Sequence, residues 1–382
     1  MTTLAPDRST ETADTGAERP TTLLPVIRSV PGSRYDNPTW KGLAYLFRDL
    51  ALYALVLTGL ALTDAVWFLV PLWALSALVV SALFIIGHDA AHESLFKSKR
   101  LNSFVGHLAM LPSWHVYEGW VLGHNRIHHG HTVRQGMDFV WHPYTPEEYE
   151  ALPGWQKLRH RFEWSCLGAG IYYLRDVWWN KMIAFEPPAK WQSAIRRDRW
   201  IVAAFLLVAT FGFGALGLAV YGSILGAAWM VVKLLVVPFL LFNWVIGSVV
   251  HLHHIDPGIR WYKRREWNKF RGQMEGTTVI YAPRWLDFFL HHIFVHVPHH
   301  VDMRIPFHQL PAASDAIIEA FPGVVEERKL RLRDYPANTK RCKLYDFEAG
   351  RWLTYDDARA HLGAQPAHQR DDGELWQGTN SF

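Results

Sequence analysis

The sequence predicts an all-α integral membrane protein, with four transmembrane helices in two hairpins and a cytosolic helical cap that carries most of its histidines. Three observations lead there. Half of the 382 residues are hydrophobic and 19 are tryptophan, far from the composition of an average soluble domain. The apolar residues gather in two long blocks, about residues 43–87 and 200–250, with charged stretches outside them. Seventeen of the 21 histidines lie in the windows 88–131 and 251–308, each of which opens where an apolar block ends.

Residues 1–30, MTTLAPDRSTETADTGAERPTTLLPVIRSV, have no apolar core behind a basic start, so they read as a disordered tail and not as a cleaved signal peptide. The first apolar block is about twice the roughly 20 residues that one spanning helix needs. Its mid-stretch polar pair, Thr63-Asp64, divides it into spans at about 43–62 and 65–87. The second block divides at Tyr221-Gly222-Ser223 into spans at about 200–221 and 224–249. Neither of these turns carries a basic residue, whereas Arg48, Lys97, Lys99, Arg100, Arg196, Arg197, Arg199, Arg260, Lys263, Arg264 and Arg265 flank the other ends. An excess of Lys and Arg marks the cytoplasmic flank of membrane helices, which puts both termini and both histidine windows on that side.

Between the hairpins, LNSFVGHLAMLPSW and WSCLGAGIYYLRDVWWNKMIAF are apolar but short or interrupted, so they read as interfacial segments. Residues 31–310 make up the membrane domain, and 311–382 read as a cytosolic C-terminal cap. In the cap, AASDAIIEAF has the pattern of a helix and KLYDFEAGRWLTY that of two short strands around Glu348-Ala349-Gly350. Lys233 falls in mid-span, where an ionisable group faces the protein interior or snorkels. The two cysteines, Cys166 and Cys342, have no CxxC spacing, so neither thiol redox chemistry nor a thiolate metal site is indicated.

The histidines form three clusters. In GHDAAHESLF, His88 and His92 are four residues apart, a spacing that puts two imidazoles on one side of a helix. HNRIHH follows with His124, His128 and His129, and HVPHH supplies His296, His299 and His300, with Pro298 tolerated near a helix start. Packing eight groups that titrate near neutrality is costly if they protonate, and a metal removes the cost by holding them neutral. Eight imidazoles are too many for one structural zinc, which takes four ligands. Two ions with open positions suit oxygen-activating iron better. Soluble di-iron bundles use Glu-x-x-His pairs, and no glutamate here has a histidine three residues later.

Three boxes of the forms HxxxH, HxxxHH and HxxHH, in this order, with one apolar hairpin before the first box and the other between the second and third, resemble the membrane-bound fatty acid desaturases. The stretch GHDAAHESLFKSKRLNSFVGHLAMLP, followed by EGWVLGHNRIHHGHT, is similar to the Δ12 and ω3 acyl-lipid branch, and the likeness covers about residues 40–310. The resemblance implies a fatty acyl desaturase, an oxidoreductase that places a double bond in an acyl chain using O2, two iron ions and an external electron donor. The iron ligands it implies are His88, His92, His124, His128, His129, His296, His299 and His300, with a ninth histidine just after the last span. For that ninth position the sequence offers His251, His253 and His254; the HHIDP pattern favours His254, with His251 as its main rival. No catalytic residue beyond the metal ligands is implied. His131, His291 and His292 fall outside the boxes and read as supporting or structural.

Carboxylates accept the second N–H of metal-bound imidazoles, and Asp89, Asp138, Asp256 and Asp302 are candidates, of which no more than two are expected to do so. Asn125 and Asn243 are candidates for positioning a water. Trp114, Trp120, Trp141 and Trp244 are candidates for lining an acyl tunnel, against the default role of tryptophan in an interfacial belt. No flavin, nicotinamide or haem motif is present, so electrons must come from a partner: ferredoxin in bacteria, a cytochrome b5 in eukaryotes. The basic run RWYKRREWNKFRG could steer such an acidic donor or meet anionic headgroups. The acyl substrate would arrive on a lipid, coenzyme A or a carrier protein, in the cytoplasmic membrane if the source is bacterial; membrane lipids are partners and nucleic acid is not.

Two departures from the branch pattern, Ala90-Ala91 in the first box and Val297-Pro298 in the third, remove no ligand but weaken any transfer of double-bond position. The related alternative is a hydroxylase or acetylenase on the same scaffold. A distant one is a histidine-rich zinc-binding receptor or transporter, although transport favours ligands at bilayer mid-depth.

Overall fold

The structure is a computed structural model and describes residues 19–364. It is mostly helical, and four helices are long and apolar enough to cross a membrane: Thr39–Ala61, Val66–Ala91, Ala189–Tyr221 and Ile224–His254. In the order of the chain these are the first to fourth long helices. Each satisfies its backbone groups internally, which hydrocarbon requires of a spanning segment.

The first two long helices are joined by residues 62–65 and pack against each other, as do the third and fourth across Gly222-Ser223. Gly222 takes φ +64°, a left-handed conformation that closes the third helix, and the Ser223 hydroxyl caps the fourth by accepting from the Gly226 amide. The second and fourth helices also pack together and form the centre of the molecule. Nearly every residue of the second helix from Ser76 to Ala91 is buried, while Phe47 and Leu55 on the first and Leu207, Val208 and Phe211 on the third are exposed. Bare apolar surface of that extent suits hydrocarbon and not water.

Helices begin earlier than the apolar blocks alone indicate. The first starts at Thr39 and carries Arg48 beside Asp49, and the third starts at Ala189, some turns before the apolar stretch. The shorter helix Lys99–Met110 packs on the second long helix. Ala169–Tyr172 approaches the fourth so closely that a Cβ on Gly247 would stand 2.4 Å from the Ala169 carbonyl oxygen.

Two expectations are corrected. The fold is not purely α-helical: Thr278–Tyr281 pairs in parallel with Glu326–Lys329, and Leu344–Asp346 pairs antiparallel with Arg351–Leu353. The second pair is the one expected around Glu348-Ala349-Gly350. The first joins strands 48 positions apart (326 against 278), a long-range pairing that local pattern does not carry. The tail expected to be disordered over 1–30 holds a helix, Leu24–Ser29, anchored by fully buried Val26; residues 1–18 lie outside the described residues. The expected helix in the cap is Leu310–Ala320, and HVPHH opens a helix, His296–Val301, with Pro298 in its first turn.

Lys233 is fully buried at a π-helical stretch, Val232–Val236, in the fourth long helix. Its ammonium donates to Asp64 Oδ1 at 3.0 Å, to the Tyr221 hydroxyl at 2.9 Å and to the Thr63 carbonyl at 3.1 Å. An ammonium has three donors, so all of its hydrogen-bonding capacity is used. The Trp229 and Tyr221 side chains donate to the same Asp64 carboxylate, and Trp73 Nε1 donates to the Lys233 carbonyl at 3.0 Å. Lys233 therefore ties the turn of the first helix pair to the second pair.

Candidate metal centre

The histidines gather because two long helices end beside each other and two irregular segments close over them. His88 is on the last turn of the second long helix and His92 caps it; His253 and His254 end the fourth. His124 and His128 lie on a π-helical stretch, Val121–His128, continued by His129–His131. His296, His299 and His300 share the short helix His296–Val301. Glu93 and Val133, just after the first and second boxes, sit at φ +58° and +51°, and so strained a β-branched residue as Val133 needs surroundings that dictate it.

All nine predicted ligands are buried and come together. His88, His92, His124 and His299 form one group in which each offers a ligand atom within 4.8 Å of the others; His128, His254 and His300 form a second, and His253, His254 and His296 a third. His129 stands between, with Nε2 at 3.2 Å from His124 Nε2 and its ring stacked on His300 at 4.3 Å. His88 Nε2 and His124 Nε2 are 3.0 Å apart. A metal–nitrogen bond of about 2.1 Å sets neighbouring ligand atoms roughly 3 Å apart, so this spacing is that of lone pairs aimed at a shared cation.

Partners on the outer side of the rings fix which nitrogen faces inward. His128 Nδ1 donates to Asp138 at 2.9 Å, His88 Nδ1 to Asp89 at 3.1 Å, His300 Nδ1 to Gln273 at 2.7 Å, His254 Nδ1 to the Gly276 carbonyl at 2.9 Å and His296 Nδ1 to the Ile293 carbonyl at 3.1 Å. With Nδ1 the donor, Nε2 carries the inward lone pair, the arrangement typical of metal-bound histidine. Nε2 of His254, His299 and His300 and both ring nitrogens of His92 are buried with no hydrogen-bond partner among the described residues. Each such orphan costs about 1–3 kcal/mol unless something fills its lone pair. Burial first, and then mutual repulsion, hold His124, His129, His299 and His300 well below the usual imidazole range, so they are neutral donors. The set fits a metal that accepts neutral imidazole.

The rivals for the ninth position separate clearly. His254 belongs to two of the three groups, whereas His251 faces Trp141, Trp164 and Tyr335, away from the others. His253 lies close as well, its ring stacked on His296 at 3.8 Å. Among the four aspartates, Asp89 and Asp138 meet histidines, while Asp256 binds Arg328 and Asn338, and Asp302 binds Arg304 and Tyr35. Gln273 and Thr132 escaped the sequence reading: Gln273 accepts from His300 and donates to the His129 carbonyl, and the Thr132 hydroxyl lies 3.2 Å from His300 Nδ1. Their one sequence signal is nearness to a box, which Thr132 has and Gln273 lacks.

Asn125 and Asn243 donate to the Ala91 and Phe239 carbonyls and keep buried side-chain oxygens with no partner among the described residues. His131 meets Arg134, His291 is hydrogen-bonded to Asp49 at 2.7 Å, and His292 lies by Asp287; none joins the clustered imidazoles. An apolar cavity opens on the histidines, lined by Phe84, Trp120, Tyr173, Val177, Ile246 and Val249. Of the four tryptophans proposed for a tunnel only Trp120 lines it; Trp114 stacks on Phe239, Trp141 stacks on Tyr172, and Trp244 is half exposed.

Four membrane-length helices, with buried neutral imidazoles gathered at the ends of two of them beside an apolar cavity, define a membrane protein with a polyhistidine site that could hold metal. Sequence comparison resolves the class further. The fatty acid desaturase profile matches residues 27–329, and the chain belongs to that family. It is 30% identical to the sn-1 oleoyl-lipid 12-desaturase of Picosynechococcus sp. over 85% of this chain and 90% of the relative. It is 30% identical to the chloroplastic omega-6 fatty acid desaturase of Spinacia oleracea over 88% of this chain and 72% of the relative. It is also 29% identical to the sn-1 acyl-lipid omega-3 desaturase (ferredoxin) of Nostoc sp., over 81% of this chain and 84% of the relative. The chain is thus an oxidoreductase, a fatty acyl desaturase of the Δ12/ω3 branch.

Proposed function

We propose that this desaturase is an O2-dependent di-iron enzyme acting on a lipid-linked acyl chain, with electrons supplied by ferredoxin. The observation that carries the reading is the set of buried, inward-facing ring nitrogens that have no hydrogen-bond partner among the described residues. His88, His92, His124 and His299 would hold one iron and His128, His254, His296 and His300 the other, with His129 between them. His253 is the candidate to replace or supplement His254 or His296. When bound, iron would activate O2, the oxidant, for removal of two hydrogens from an unactivated methylene pair.

The protein's own part is placement. Asp89, Asp138, Gln273 and the Gly276 carbonyl hold the imidazoles in one tautomer and orientation. Phe84, Trp120, Tyr173 and Ile246 give an acyl chain an apolar wall and keep water from the reacting carbons. The long helices pair as two membrane hairpins, with the histidine site, both termini and the segments after residue 254 on the cytoplasmic face, as the basic residues at those helix ends favour.

Expression in a host of defined fatty acid profile, followed by mass spectrometry with double-bond location, tests the reading. A new unsaturated acyl chain is expected. Hydroxylated or acetylenic products alone would place the chain with its hydroxylase or acetylenase relatives, and a zinc-loaded protein without product would support the binding-protein alternative.

A further inference from the structure

Residues 260–271, RWYKRREWNKFR, form a cationic surface over the back of the histidine site. Arg260, Arg264, Arg265 and Lys269 are exposed, and Arg134 and Arg271 stand at its edges. Two carboxylates reduce the charge, as Glu266 meets Arg260 at 3.2 Å and Glu348 pairs with Lys263, while Arg264 and Arg265 form no ion pair among the described residues. At the middle lies Trp267, half-buried, with the Arg134 guanidinium 5.4 Å and the Lys269 ammonium 5.6 Å from its ring centroid.

Trp267 is wired to the site. Its indole N–H donates to the Thr132 carbonyl at 2.8 Å, and the Thr132 hydroxyl lies 3.2 Å from His300 Nδ1 and 3.1 Å from the Gln273 oxygen that His300 also meets. Lys269 reaches the Gly130 carbonyl at 3.1 Å, next to His129. Gly272 keeps the indole in place, since a Cβ there would stand 2.7 Å from its nitrogen. A surface made only to rest on headgroups does not require an aromatic ring hydrogen-bonded through one residue to an inward-facing imidazole.

We propose that this surface is the docking site of a small acidic one-electron carrier protein and that Trp267 is where its electrons pass toward His300. The proposal rests on the di-iron reading above. The balance is two successive electrons from two reduced carriers and two protons from solvent; with O2 and the two hydrogens of the methylene pair they yield one carbon–carbon double bond and two waters. Opposite charge speeds and orients such an encounter and makes it sensitive to salt.

The test uses full-length, iron-loaded protein in nanodiscs of zwitterionic phosphatidylcholine, with plant-type [2Fe–2S] ferredoxin as the probe. Ferredoxin binding should weaken steeply with added salt. The double variant Arg264→Glu/Arg265→Glu should bind at least ten-fold more weakly at low salt, with unchanged iron content and unchanged reduction by dithionite. Trp267→Leu should bind ferredoxin within about two-fold of wild type but oxidise reduced ferredoxin at least ten-fold more slowly, again with unchanged iron. The proposal is overturned if the double variant binds ferredoxin as wild type does while losing affinity for phosphatidylglycerol vesicles, which would assign the surface to lipid. Wild-type oxidation rates in Trp267→Leu would overturn the electron route. Iron-loaded wild type without salt-dependent ferredoxin binding overturns the docking site alone, whereas a chain that holds no iron overturns the reading beneath it.

Discussion

Two polar clusters, each around a buried titratable group, lie near opposite ends of the fourth long helix, and they are built to different rules. Around Lys233 the accounting is closed: one ammonium with three acceptors, and one carboxylate that receives Lys233, Tyr221 and Trp229. Around His254 it is open, with donors satisfied on the outer side of the rings and lone pairs converging on one another inside. Lys233 and the clustered histidines are taken out of water, which costs several kcal/mol per group without compensation. The Lys233 cluster supplies its compensation from within and serves structure. The histidine cluster leaves the inner side of its rings without compensation from the described residues, and the proposed metal site rests on that asymmetry.

Substitutions at each cluster should therefore fail differently. The largest effect belongs to His128→Ala, which should lower activity at least about 100-fold and reduce bound iron, read by product analysis and metal analysis on the same preparation. Asp138→Asn comes next: it leaves every ligand in place but takes the acceptor from His128, and a loss of roughly 10–100-fold in activity or iron affinity is expected, with normal thermal stability of the folded chain. Wild-type activity in that variant would count against the tautomer argument.

At the other cluster the effect should be on stability alone. Asp64 is half exposed, so Asp64→Asn should cost only about 1 kcal/mol, or ~2–4 °C in melting temperature, with iron and product unchanged. Hydrogen bonds from Trp229 and Tyr221 hold the Asp64 carboxyl down at about 2. A depressed carboxylate pKa stabilises the fold above its unfolded value near 4, and that contribution fades as pH falls toward 2, so wild type and Asp64→Asn should converge in stability there. The smallest effect is expected of His251→Phe, which should keep full iron, because His251 faces Trp141 and Tyr335. Loss of iron in that variant with retention in His254→Ala would reverse the assignment of the ninth ligand.

Much of this was legible in the sequence because it is local. Apolar length determined four helices, and the polar pair Thr63-Asp64 fell in the connection between the first two. Helical spacing placed His88 with His92 and His296 with His300. It could not separate His251 from His254, which are three residues apart and share a helix side at that resolution, although a rotation of about 60° sends one to Trp141 and the other to His128. Nor could it find Gln273 or the Gly276 carbonyl, whose roles arise only when the segment after the fourth helix folds back over the second box. Lys233 was visible as an anomaly, but its partners at Thr63 and Asp64 are about 170 positions away. The parallel pair Thr278–Tyr281 and Glu326–Lys329 and the helix Leu24–Ser29 were missed for the same reason, since tertiary packing decides such short elements.

The central claim is that the inward lone pairs exist for metal. Elemental analysis of the purified full-length chain tests it most directly. Two irons per chain, no stoichiometric zinc, and a lower iron content in His254→Ala are predicted. A folded wild-type chain that carries no iron, or zinc in its place, would contradict the account.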